Sequence, residues 1–196
     1  MWNSTWIACM LTAGLLVSQQ TPYERSDGSW LDAPMEWNLS PTELLRGQPE
    51  GPNPKCDPTV RAPQSAAERL LTVAGWKLRT ISEVKRSGGH SIEIVQAFRQ
   101  FDGMCRDLQA QAFVFVNDRL VGTLSPRLMN GRADGQLAKA VISESGEITA
   151  TFLRYNPTDA LCCPSRESLA FYSTVPEAGT HVVKLLPVET RQRSER

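Results

Sequence analysis

AFVFVNDRLVGTL, residues 112–124, decides the fold. Ala112–Val116 is five apolar residues rich in aromatic and β-branched side chains, Asn117-Asp118 is a turn pair that tolerates positive φ, and Leu120–Leu124 resumes the apolar pattern. Two strands joined by two such residues read as a hairpin. A strand without polar alternation is buried on both faces. The first strand of this hairpin, Ala112–Val116, is therefore expected to be buried on both faces.

Outward from this hairpin the period-2 pattern continues in both directions. Lys77–Val84 and Ser91–Phe98 flank Ser87-Gly88-Gly89, with Ile92, Ile94 and Phe98 on one face of the second run. Leu137–Ser143 and Glu147–Tyr155 flank Ser145-Gly146, with Ile148, Ala150 and Phe152 pointing one way. Ser168–Thr174 and His181–Leu186 complete the set. Connections of hairpin length require antiparallel pairing, because parallel strands need long crossovers. Ahead of the strands, Ser65-Ala66-Ala67-Glu68 fits a capping box. Ala66, Ala67, Leu70, Leu71 and Ala74 then follow at helical spacing before Gly75. The expected fold is α+β: one N-terminal helix packed on a curved antiparallel sheet of about six to eight strands, stabilised by disulfides.

The rest of the chain divides by composition. Trp6–Val17 is an apolar run of signal-peptide length, too short to span a bilayer, and Ser18, Gln19 and Gln20 end it. Cys9 lies inside that run rather than at the start of a polar linker, so it is expected to leave with the leader instead of carrying a lipid. Thr21–Pro63 is rich in Pro, Gly, Ser, Asn and charge without a sustained period, the composition of a tether. Trp30, Met35 and Trp37 depart from that composition as a possible docking segment, although isolated aromatics in a linker more often pack loosely. The sequon Asn38-Leu39-Ser40 carries weight only in a eukaryotic secretory pathway. The expected organisation is a signal peptide over 1–19, a flexible linker over 20–63, the α+β domain over 64–188 and a disordered tail over 189–196.

Lys and Arg number 21 and Asp and Glu number 21, for zero net charge. A neutral surface argues against a dedicated nucleic-acid or anionic-membrane binder. Cys56, Cys105, Cys162 and Cys163 form an even set downstream of the leader, the signature of a disulfide framework in an oxidising compartment. Were Cys162 and Cys163 on extended backbone, their side chains would point to opposite faces and a bond between them would be strained. Each is therefore expected to pair with Cys56 or Cys105, in either of two connectivities. Thiol-redox chemistry would ordinarily show C-x-x-C at a helix start, and zinc would require about four placed ligands, with His90 or His181 joining the thiolates. Neither pattern is present, and neither a metal nor another cofactor is expected.

Catalytic motifs are equally sparse. A Cys163–His181–Asp159 triad can be written, but no spacing requires it. Ser125 and Ser165 sit beside prolines rather than in a G-x-S-x-G elbow. Asn130–Gly135 resembles a calcium loop but places Arg132 at a ligand position and Val141 where the bidentate Glu belongs. Arg154, Tyr155, Asp159 and Arg166 gather around the cysteine pair. They form a possible ligand cluster for a small anion or carbohydrate, or an Arg–Asp brace for a pinned loop.

The segments FDGMCR (101–106), AFVFVNDRLVGTLSPRLMNGRADG (112–135) and RYNPTDALCCPSRESLAFY (154–172) together resemble the LppP/LprE family of bacterial envelope lipoproteins and their exported relatives, over roughly residues 56–175. The resemblance implies a small α+β domain in the bacterial envelope and transfers no catalytic residue. This chain lacks a lipobox, which implies a soluble periplasmic or secreted member without a lipid anchor. The expected function is that of a non-enzymatic binding or interaction module, with an unknown envelope protein or small ligand as its partner. The alternative is an exported thiol-redox enzyme or small hydrolase using Cys162 or Cys163.

Overall fold

The computed structural model describes residues 29–33, 37–38, 51–177 and 180–193. The expected leader, Cys9, the Ser18–Gln20 cleavage region and Met35 lie outside these residues.

A 3₁₀ turn over Asp57–Thr59 precedes helix α1, Ala66–Val73. Eleven strands follow: β1 Lys77–Leu78, β2 Glu83–Ser87, β3 His90–Phe98, β4 Gln100–Phe101, β5 Asp107–Leu108, β6 Gln111–Val116, β7 Arg119–Thr123, β8 Gln136–Ile142, β9 Ile148–Arg154, β10 Arg166–Glu177 and β11 Thr180–Gln192. All named pairings are antiparallel. The expected class of a helix packed on antiparallel strands is what forms, with two corrections. The strands make three sheets, not one curved sheet: a five-stranded sheet of β1 and β2 on β3, then β6 and β7; a four-stranded sheet in the order β11-β10-β9-β8; and the small pair β4-β5. The α-helix also begins only at residue 66, ahead of every described strand but well inside the chain.

The strand β6 shows why the layers stack. Ala112, Val114 and Val116 point into a core shared with Ile148, Ala150 and Phe152 of β9 and with Ala170 and Tyr172 of β10. Phe113 and Phe115 point the other way, into a cluster with Ala67 and Leu71 of α1, Trp76 and Leu78. One uninterrupted apolar strand thus supplies two cores, and the molecule is helix, sheet, sheet. Strand β3 divides in the same way, with Ile92 and Ile94 facing the second sheet and Val95 and Ala97 facing the helix. Its last residue, Phe98, reaches a third small cluster with Phe101 and Cys56. The buried Tyr172 hydroxyl donates to the Leu124 carbonyl at 2.5 Å, joining β10 to the end of the hairpin.

Turns fall where the sequence places them. Gly88-Gly89 (φ 56° and 80°) closes β2 onto β3, and Asn117-Asp118 (φ 49° and 63°) closes β6 onto β7. Positive φ at both central residues is the type I′ pattern. The expected run Lys77–Val84 is split: β1 pairs with Ala97 and Phe98, β2 with Ile94 back to His90, and Arg79–Ser82 passes between them. Ser65 caps α1 by accepting from the Glu68 amide at 3.1 Å, but the Glu68 carboxylate reaches past the cap to the Gln64 amide at 2.6 Å. The last strand also runs longer than its apolar pattern. Glu189–Gln192, placed in the tail by composition, pair with Arg166–Leu169 as part of β11.

Candidate functional site

The polar cluster nominated from the sequence is mostly committed to holding the fold. Arg154, at the end of β9, has a side chain only 3% exposed. Its Nη1 and Nη2 donate to the Asp32 carboxylate at 3.1 and 2.7 Å, its Nε to Asp134 at 3.1 Å, and Nη1 also to the Ser168 hydroxyl at 3.0 Å. Burial opposes the charge on Arg154, but the two carboxylates outweigh it and the pKa is raised; the Arg154 bond in turn lowers that of Asp32. Four of the guanidinium's five N–H donors are thereby committed within the fold. Asp159 accepts from the Ser165 amide at 2.9 Å, the Ser165 hydroxyl at 2.8 Å and the Asn156 amide at 2.7 Å, bonds that hold its carboxyl below the usual range. The Tyr155 hydroxyl donates to the Leu161 carbonyl, and burial raises its pKa. Arg166 is half-buried and acts on Asp32 and Asp159 through charge. Tyr155 and Asp159 brace the 154–166 loop, and Arg154 fastens its start to the segment around residue 30.

That segment is itself packed. Trp30 and Leu31 belong to the core between the sheets, and Trp30 meets Trp37 and Phe152 edge to face at 5.4 and 5.1 Å. Trp37 Nε1 donates to Thr123 Oγ1 at 3.1 Å. Loose packing was the commoner expectation for these aromatics; the docking segment is what forms, because the Arg154–Asp32 pair and the Trp30 pocket hold it together. Asn38 is 5% exposed, donates to the Thr123 and Val183 carbonyls and accepts from the Thr123 amide. It rests on Gly122, where a Cβ would lie 2.6 Å from Asn38 Cγ. The sequon asparagine is therefore a buried clamp between β7 and β11.

The cysteines contradict the expected pairing. Cys56 bonds Cys105 across 49 residues of chain, and Cys162 bonds Cys163. The premise of extended backbone fails at the second pair. Leu161-Cys162 lies in a turn, with the Cys163 amide donating to the Ala160 carbonyl at 2.9 Å, so the two side chains do not diverge. The pairs also differ in surroundings. Cys56 is buried against Phe98 and Phe101, whereas Cys162 and Cys163 are exposed beside Leu161. The Cys163–His181–Asp159 triad has no counterpart: Cys163 is in the vicinal bond, Asp159 is occupied by Ser165 and Asn156, and His181 lies against His90.

Sequence reasoning missed an open concavity at one end of the stacked sheets. The Ser87–His90 hairpin end, the Ser145-Gly146 turn between β8 and β9, and the facing ends of β10 and β11 enclose an open cleft of about 510 Å³. Ile92, Val116 and Pro176 give it an apolar floor and wall; Ser173, Thr174 and His181 give it a polar rim. His90, exposed at the strand end, and His181, half-buried opposite, bring their rings to 4.9 Å. The hairpin tips are fastened to each other by the Lys85–Glu144 ion pair and by the Ser87 hydroxyl donating to the Glu144 carbonyl at 2.9 Å. Gly146, at φ 85°, allows this approach, since a Cβ there would stand 3.0 Å from Ile92 Cδ1. The two histidines are 91 residues apart, and only the stacking of one sheet on the other joins them, so no local spacing could reveal the cleft. A second cavity of about 80 Å³ lies beside Arg79 and Asp107 and has room for little more than a few waters. Burial raises the Asp107 pKa there, against the opposing Arg79 guanidinium at 2.9 Å.

Among the described residues no three His, Cys, Asp or Glu side chains converge to hold a metal ion, and no helix is long and apolar enough to cross a membrane. No curated protein and no solved structure matches the chain. A family model, LppP/LprE lipoprotein, matches residues 91–174, which run from the start of β3 to the rim of the cleft in β10. Over that segment the chain is similar to the LppP/LprE lipoprotein family.

Proposed function

We propose that the protein is an exported component of the bacterial envelope that works as a non-enzymatic binding module, with the cleft at the hairpin end as its ligand site. The family supports the envelope setting. The observation that carries the binding role is the cleft itself: about 510 Å³, within the range of small-molecule sites, and lined from both sheets. Its apolar floor with a hydroxyl and imidazole rim suits a small amphiphile, with the apolar body on Ile92 and Val116 and a hydrogen-bonding head among Thr174, Ser173 and His181. The occupied state of Arg154 and Asp159 supports the same reading, since the polar cluster closest to a catalytic set is consumed by structural bonds.

The test uses 8-anilinonaphthalene-1-sulfonate as an amphiphilic probe, titrated by fluorescence into the folded protein. Saturable binding at one site, abolished in Thr174→Trp and in Ser145→Trp, is expected; Ser145 is an exposed turn residue whose replacement leaves the core intact. Binding that does not saturate, or that survives both substitutions, overturns the assignment.

A further inference from the structure

The two disulfides cannot serve the same purpose. Cys56–Cys105 closes 49 residues of chain, with Cys56 buried in an apolar cluster and Cys105 half-buried against it, so it restricts the unfolded ensemble and is less open to solvent. Cys162–Cys163 closes a ring through a single peptide bond, so the unfolded chain loses almost no freedom by its presence. Nor is it needed to shape its loop. The Asp159 carboxylate already binds the amides of Asn156 and Ser165, Asn156 Nδ2 donates to the Ser165 hydroxyl at 2.7 Å, and Arg193 Nη1 donates to the Pro164 carbonyl at 3.1 Å. Both sulfur-bearing residues are nonetheless exposed at the tip of that loop, open to a bulky reactant.

We propose that Cys162–Cys163 is a thiol–disulfide exchange site that accepts electrons from an external dithiol. A thiolate of the donor attacks one sulfur of the pair, forming a mixed disulfide and expelling the other sulfur as thiolate. The second donor thiolate then attacks the donor's sulfur in the mixed bond. The donor leaves as a disulfide, and Cys162 and Cys163 remain as a dithiol after taking up two protons. The Arg193 guanidinium on Pro164, next in the chain to Cys163, and Arg166 two residues beyond supply positive charge to the emerging thiolates. Asp159 and Glu167 are the nearby negative groups: the Asp159 carboxylate is held by the three donors of Asn156 and Ser165, and Glu167 pairs with Arg191 at 2.8 Å and lies 3.9 Å from Arg193. Because the loop is braced independently of the sulfurs, exchange proceeds without unfolding the domain.

The site is independent of the cleft and is tested separately. Oxidised full-length protein is equilibrated with graded ratios of reduced to oxidised dithiothreitol, quenched with iodoacetamide and mapped by peptide mass. Cys162 and Cys163 should become alkylated together at ratios that leave Cys56–Cys105 intact and the far-ultraviolet circular dichroism unchanged. The Cys162→Ser/Cys163→Ser double variant should keep the parent's melting temperature within about 3 °C, while Cys56→Ser/Cys105→Ser should lose roughly 10 °C or more. Opening of both bonds at one ratio, opening of Cys56–Cys105 first, or a large loss of melting temperature in the Cys162/Cys163 variant overturns the proposal.

Discussion

Arg154 is the residue whose surroundings most change its meaning. Sequence proximity to Asp159 and the cysteines suggested a ligand contact, and the structure turns it into the buried centre of a network with Asp32, Asp134 and Ser168. Asp32 and Asp134, 54% and 32% exposed, keep access to water when the guanidinium is removed, so Arg154→Met is expected to cost about 2–3 kcal/mol in urea unfolding, from the charge-assisted hydrogen bonds lost. A loss below about 1 kcal/mol would show that the network is dispensable. Glu68 behaves similarly at the start of α1, with a 2% exposed side chain. The Arg61 guanidinium, against the opposing effect of burial, and then the Ser82 hydroxyl and the Gln64 amide bring its carboxyl down to about 2 from 4.5. A depressed folded-state pKa stabilises the protein above the unfolded value, and that stability is lost as pH falls through the folded value. The contribution should be about 3 kcal/mol at pH 7 and roughly 1.4 kcal/mol at pH 3. Urea titrations of the parent and Glu68→Gln at both pH values measure it, and a gap that fails to narrow at the lower pH would contradict the assignment.

At the scale of elements, what was legible followed from local chemistry. Gly88-Gly89, Asn117-Asp118 and Ser145-Gly146 announce three hairpins because those residues tolerate the backbone that tight turns impose. The doubly apolar AFVFV announced a strand covered on both faces, and Phe113 against Trp76 on one side with Val114 among the inter-sheet residues on the other is its outcome. The two-residue strands β4 and β5 were beyond reach, since two residues have no period to detect. The length of β11 was hidden by Pro187 and by polar Glu189–Gln192. An edge strand accommodates both, and the irregularity opposite Ala170 and Tyr172 falls beside the proline. The docking of Trp30 stood only as the lesser alternative, because its partner Phe152 lies 122 residues away. Trp30→Ala should cost about 3–5 kcal/mol and flatten the near-ultraviolet circular dichroism bands, as removal of a buried aromatic from a packed core does. An unchanged near-ultraviolet spectrum would mean that the segment is not held on the sheet in solution.

For the whole molecule, the division of labour between packing and covalent bonds matters most. Two stacked sheets and one short helix provide the core, and Cys56–Cys105 ties the chain ahead of the helix to the β4–β5 corner. Forty-nine residues of loop give the chain-entropy model about 4 kcal/mol, a large share of the net stability of roughly 5–15 kcal/mol that a domain of this size has. The four cysteines could be recognised as a framework from their number and placement. Their pairing could not, because it depends on the turn at Leu161-Cys162, which the extended-strand assumption misjudged. Export, oxidation and architecture meet in one measurement: a non-reducing peptide mass map of protein recovered from a bacterial periplasm. Cys56 linked to Cys105, and Cys162 linked to Cys163, is the predicted result; a link from either Cys162 or Cys163 to Cys56 or Cys105, or four free thiols, would contradict it.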